Sequence, residues 1–108
     1  MAKFLFIFRH STDPANQPSP EEMQELGQQW YGWMTKFKAS ILAGGDGLKP
    51  GGKLMRGEIV TDGPYIEAKE FVASFSLIQA DDLDAAVAIA AECPGHNVIE
   101  IRELAGYA

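Results

Sequence analysis

The chain has 108 residues, of which 46% are hydrophobic and 22% charged, and it carries a net charge of −6. Those proportions describe one folded domain spanning residues 1–108 and argue against intrinsic disorder, while the acidic balance would repel a phosphate backbone, so no direct nucleic-acid binding is expected. The apolar run Phe4 to Phe8 is too short for a signal sequence or a bilayer span, and one cysteine, Cys93, beside two histidines makes neither a disulfide nor a convincing zinc cluster. A cytoplasmic protein with no membrane partner is the expectation.

Residues 3–9 are apolar on both alternation faces, the pattern of a central strand covered on each side, and Arg9-His10 stand at its C-terminal end. Ser11 to Pro18 is a polar loop long enough to act as a lid. Ser19-Pro20-Glu21-Glu22 then supplies an N-cap, a proline at the first helical position and a glutamate three residues after the cap, which predicts a helix start with a capping box. Met23, Leu26, Trp30, Trp33, Met34, Phe37 and Ile41 follow at spacings of three and four and predict an apolar stripe packed on a sheet.

Ile41 to Leu48 reads as a strand loosened by Gly44, Gly45 and Gly47. Pro50-Gly51-Gly52 would turn it back as Lys53 to Thr61, giving a hairpin. Glycines in a strand suit a bulge or a close approach by backbone or ligand, and equally a flexible edge. Thr61-Asp62-Gly63-Pro64-Tyr65 is a forced corner, because proline fixes its own φ and restricts its predecessor; it would hold the Asp62 carboxylate at the rim of the sheet. Beyond it, Phe71, Ala73, Phe75 and Leu77 alternate with Val72, Ser74, Ser76 and Ile78 in a long strand. Asp81-Asp82 opens an alanine-rich second helix that Pro94-Gly95 stops, and Val98 to Leu104 forms the last strand.

The order β-α-β-β-β-α-β with both helices on one face predicts an α+β, ferredoxin-like sandwich built on a mixed sheet. Placing Phe71-Ala73-Phe75-Leu77 and Ile99-Ile101 toward the helices leaves Val72-Ser74-Ser76-Ile78 and Val98-Glu100-Arg102-Leu104 on the open face, apolar at the ends and polar between. Such a face suits two protomers stacked sheet on sheet around a wet pocket, and suits a solvated surface as well.

Asp62-Gly63-Pro64-Tyr65, followed by Glu67-Ala68-Lys69-Glu70, resembles the Asp-Gly-Pro-Phe signature of the YCII-related superfamily in its DGPF-domain branch, with Tyr65 in place of the usual Phe. The likeness runs from the opening strand to the closing Val-Ile-Glu-Ile-Arg. It implies a dimeric α+β barrel of ferredoxin-like protomers, a pocket between the sheet and its partner, and a largely unassigned function. Some relatives are thought to use a His-Asp pair; this chain has Met23 or its neighbours and Cys93-Pro94 where that pair would be expected. DGPF-branch members are often labelled as associated with transcription initiation.

Four residues carry the candidate chemistry. Asp62 suits an Asx-type bond to its own turn or, if buried, a general base or ligand anchor; His10 suits a proton shuttle or a plain surface position. Arg9 would hold an anionic group, and Lys69 with Glu70 would complete a polar cluster or form a solvated edge. Cys93, at the end of a helix with His96 beyond Pro94-Gly95 in the following loop, is in the wrong field for a nucleophile. No nucleotide, zinc or flavin motif is present, so no cofactor and no metal are expected. The sequence thus points to a homodimer binding a small polar or anionic molecule, with acid/base chemistry through Asp62 and His10. The alternative is a non-catalytic regulatory or interaction module linked to transcription initiation.

Overall fold

Strand β1 (Ala2–Ser11) lies between β6 (Glu70–Ala80) and β7 (Val98–Glu103), and β2 (Ile41–Gly47) completes the order β2-β6-β1-β7. The computed structural model describes residues 1–67, 69–95 and 98–107, so His96 lies outside the described residues. Every pairing in the sheet is antiparallel, which corrects the expected mixed sheet: strands β1 and β2 run the same way but are separated by β6. With α1 (Pro20–Lys36) and α2 (Leu83–Ala90) the chain is a two-layer α+β protein; its sheet is open, not a closed barrel.

Both helices form where local chemistry directs. The Ser19 hydroxyl accepts from the Glu22 N–H at 3.2 Å while the Glu22 carboxylate accepts from the Ser19 N–H at 3.4 Å, which closes the capping box of α1. Asp82 caps α2 by accepting from the Ala85 N–H at 2.8 Å. Phe4, Phe6 and Phe8, spaced by two, project from one side of β1 and are buried with Ile78, Ala80, Trp33, Ala86, Ile89 and Ala90. The Trp33 indole N–H donates to the Ile89 carbonyl at 3.0 Å and ties the helices together. The predicted stripe on α1 holds in its middle. Trp33 is buried and Trp30 and Phe37 pack against the core, but Met23 near the start is exposed.

Two expectations are corrected. The run Lys53 to Thr61 is not one strand pairing with β2. It breaks at Gly57-Glu58 into β3 (Gly52–Arg56) and β4 (Ile59–Gly63), which pair with each other, and Gly57 takes the left-handed φ of 61° that a two-residue loop requires. Strand β2 instead pairs with β6, with two register shifts in its glycine-rich stretch. The second correction concerns the faces of β6. Its helix side carries Ser74, Ser76 and Ile78, opposite Phe8, Phe6 and Phe4, so Phe75 and Leu77 lie on the open face with Ile7 and Leu5. The pairing jumps from Phe8↔Ser74 to Arg9↔Val72, leaving Ala73 as a bulge that reverses the alternation; Phe71 alone is returned to the helix side, beside His10.

The resulting body is flat. It measures 42 × 40 × 19 Å with a radius of gyration of 15.2 Å, against about 13 Å for a compact chain of this length. Strands β3 and β4 account for part of the excess, because beyond their own pairing they make only sparse contact with other elements. Met55 on this hairpin is 67% exposed, and Ile59 and Val60 are also exposed.

Candidate functional site

The end of β1 divides two environments, because Arg9 and His10 alternate across the sheet. On the open face the Arg9 guanidinium donates from Nη2 and Nε to Glu100 Oε1, at 2.9 and 3.3 Å, while Arg102 Nη1 donates to Glu100 Oε2 at 3.1 Å. The hydrogen bond from Arg9, followed by that from Arg102, holds the Glu100 carboxyl below its ordinary range, and the bond to Glu100 raises the Arg9 guanidinium further. Leu5, Ile7 and Leu77, each half-buried, and Phe75, 37% exposed, share this face with the ion cluster.

His10 points the other way, where its ring meets Phe71 edge to face at 6.3 Å. It opens onto a cleft of about 970 Å³ between the β1–α1 loop and α1, whose polar walls include Gln17, Glu22, Glu25 and Gln29. The carboxylates here make the surroundings of His10 acidic, the reverse of what an anionic substrate needs.

Asp62 sits on β4, opposite Lys53, and its Oδ1 accepts from Lys53 Nζ at 2.6 Å. Its side chain is 89% exposed and it lines neither the His10 cleft nor the recess beneath α1. The carboxylate bonds across the hairpin to Lys53, the neighbour that strand pairing provides. The corner itself forms: β4 ends at Gly63, the Gly63–Pro64 bond is cis, and the short β5 (Ile66–Glu67) pairs back onto β6. Lys69 occupies the tight turn into β6 with φ 61°, and its carbonyl accepts from the Thr12 N–H at 2.8 Å, so its visible contribution is through backbone.

Within one chain, then, Arg9 stands on the open face, His10 on the helix side and Asp62 on the projecting hairpin. The residues that sequence reasoning did not attach to Arg9 are Glu100 and Arg102. Their alternation with Ile99 and Ile101 was readable, but their neighbour required knowing that β7 pairs with β1. Cys93 is half-buried and burial pushes its thiol up to about 12, which keeps it in the protonated form near neutral pH. Among the described residues no three His, Cys, Asp or Glu side chains group to hold a metal, and no helix is long and apolar enough to cross a membrane.

A two-layer α+β protein with an antiparallel sheet covered on one side, and an Arg-Glu-Arg cluster on the other, is the class that fold and site define. The YCII-related domain matches residues 4–105, and the chain belongs to that family. No curated protein matches it at a significant level.

Proposed function

We propose that the protein acts as a homodimer that binds a small polar or anionic molecule between its protomers, and that it is a member of the DGPF branch, as its Asp62-Gly63-Pro64-Tyr65 corner suggests. The observation that carries this reading is the uncovered sheet face, where Leu5, Ile7, Phe75 and Leu77 surround Arg9, Glu100 and Arg102. A two-fold interface must be complementary to itself, and a patch holding both charge signs amid apolar side chains meets that condition. Glu67 and Glu70 act on Arg9 besides Glu100, so a polar or anionic group would be held by guanidinium hydrogen bonds rather than by an excess of positive charge.

In this reading the β3–β4 hairpin of each protomer lies over the other's open face and brings Asp62 to the pocket as proton acceptor. A two-stranded hairpin is marginal in water, and one with Met55, Ile59 and Val60 exposed gains from such cover. His10 faces its own cleft on the far side of the sheet.

Sedimentation velocity should show a dimer at micromolar concentration, and Phe75→Lys should give a monomer that keeps its circular-dichroism spectrum. A thermal-shift panel of small carboxylates and neutral polar compounds should yield stabilisation that Arg9→Gln abolishes. A monomeric wild-type protein would overturn the reading. The exposed hairpin also suits a non-catalytic interaction module, which predicts a dimer with no stabilising compound in the panel.

A further inference from the structure

In its second half α1 packs on the core through Trp30, Trp33 and Phe37. Toward its N-terminus the same stripe continues as Gln29, Leu26 and Glu22, which precede Trp33 by four, seven and eleven residues. A helix that closes on a sheet carries apolar side chains at such positions. Here two of the three are polar and Leu26 is only half-buried, so α1 does not close and leaves the cleft of about 970 Å³ onto which His10 opens. The same change occurs on β1, where the buried series Phe4, Phe6, Phe8 continues on the helix side as an exposed imidazole.

The loop wall of the cleft is fixed by its own hydrogen bonds. The Thr12 N–H donates to the Lys69 carbonyl at 2.8 Å, and Gln17 Nε2 donates to the Ser11 carbonyl at 3.2 Å. Asp13 Oδ1 accepts from the Ala15 N–H at 2.9 Å and caps the single helical turn Pro14–Asn16. Trp30, which also lines the cleft, is held edge to face against Phe8 at 5.2 Å. Walls set in advance cost little to order on binding, and the volume is at the upper end of those that hold small organic molecules.

Capping accounts for one of the two carboxylates in the cleft and not for the other. Glu22 Oε1 completes the capping box, and its second oxygen stays able to accept. Glu25 lies beyond the first turn, where the helix dipole no longer favours an acid, and one turn from Glu22, where like charges repel. Among the described residues the side chains of His10, Glu25 and Gln29 have no hydrogen-bond partner, and no Lys or Arg lines the cleft. An anion therefore meets repulsion. A protonated amine finds two carboxylates for charge-assisted hydrogen bonds, with the His10 ring and the Gln29 amide free to bond the other polar groups it carries. A metal ion is not served, since no three metal-ligating side chains group together among the described residues.

We infer that the cleft between the β1–α1 loop and α1 binds a small protonated aliphatic amine, its ammonium at Glu22 and Glu25 and its remaining polar groups at His10 and Gln29. The site lies across the sheet from Arg9, Glu100 and Arg102 and stands or falls independently of the proposed dimer.

Titration calorimetry of the full chain should show saturable binding of putrescine, with butanediol about tenfold weaker and succinate undetected, since the three share a chain length and differ in charge. Glu25→Gln should weaken putrescine by about tenfold, and so should Glu22→Gln, whose amide can still complete the capping box. Glu103→Gln should leave the affinity unchanged, because Glu103 pairs with Phe4 at the other end of β1 and shares the chain's negative charge without sharing the cleft. In proton NMR spectra the His10 imidazole resonance, assigned by its loss in His10→Gln, should move with the same saturation. Absence of saturable binding, equal binding of butanediol or succinate, an equal loss in Glu103→Gln, an affinity indifferent to both cleft substitutions, or a stationary His10 resonance would each overturn the inference.

Discussion

Arg9 and Glu100 meet at 2.9 Å on the sheet face that no helix covers, joined across the adjacent strands β1 and β7. Because Arg102 reaches the other oxygen of the same carboxylate, Glu100 is the centre of the cluster, and its protonation controls the whole.

This relationship has a pH signature. The folded carboxyl of Glu100 is held below its unfolded value of about 4.3, so its contribution to stability is complete above that value and is lost as pH falls through the lower folded one. The difference in Tm between wild type and Glu100→Gln should therefore stay constant from neutral pH down to about 5 and narrow below about 4. A difference that persists unchanged into stronger acid would show that the cluster does not depend on the charge of Glu100.

Trp33→Phe removes the indole N–H and leaves the Ile89 carbonyl without that donor in a buried position. The expected loss is about 1–3 kcal/mol, read as a lower urea midpoint at unchanged slope. An unaffected midpoint would mean that the link between α1 and α2 carries no stability.

Gly45→Ala meets two obstacles at once, a left-handed φ of 73° and the Phe75 carbonyl oxygen 1.6 Å from the new Cβ. It should destabilise the fold by at least about 2 kcal/mol, whereas Gly47→Ala should remain within about 0.5 kcal/mol. At Gly47 the nearest atom to a new Cβ, the Ala73 carbonyl oxygen, is 4.0 Å away. Equal effects in urea denaturation would contradict this placement of β2.

Asp62→Asn separates stability from function. Its ion pair with Lys53 is solvent-exposed, so the Tm change should correspond to less than about 1 kcal/mol. Stabilisation by a neutral polar compound found in the thermal-shift panel should nevertheless fall by about tenfold in apparent affinity, because the variant lacks the charged proton acceptor that the partner's hairpin is proposed to deliver. Undiminished ligand affinity would remove Asp62 from the pocket.

Elements set by near neighbours in sequence were legible beforehand: the Ser19–Glu22 capping box, the Asp82 cap and the corner at Gly63-Pro64 each depend on residues within a few positions of one another. The core alternation Phe4-Phe6-Phe8 was legible as a buried strand, as was the two-helix α+β architecture. The hairpin was partly legible. Gly57-Glu58 is itself a turn signal, but Pro50-Gly51-Gly52 offered a competing one, and nothing local says which strand β2 will join.

Sequence by itself determined where the helices begin, that β1 is a central strand and that one face of the sheet has no helix to cover it, because periodicity and capping act over one or two turns. Only the tertiary structure decided the rest. The bulge at Ala73 places Phe71 and Phe75 on opposite faces although their spacing puts them on the same one, since a single extra residue reverses a period of two. The same long-range pairing sets Glu100 beside Arg9 and puts His10 out of reach on the other side. Alternation along one strand says which residues share a face, but their neighbours on that face depend on the register of the strands alongside.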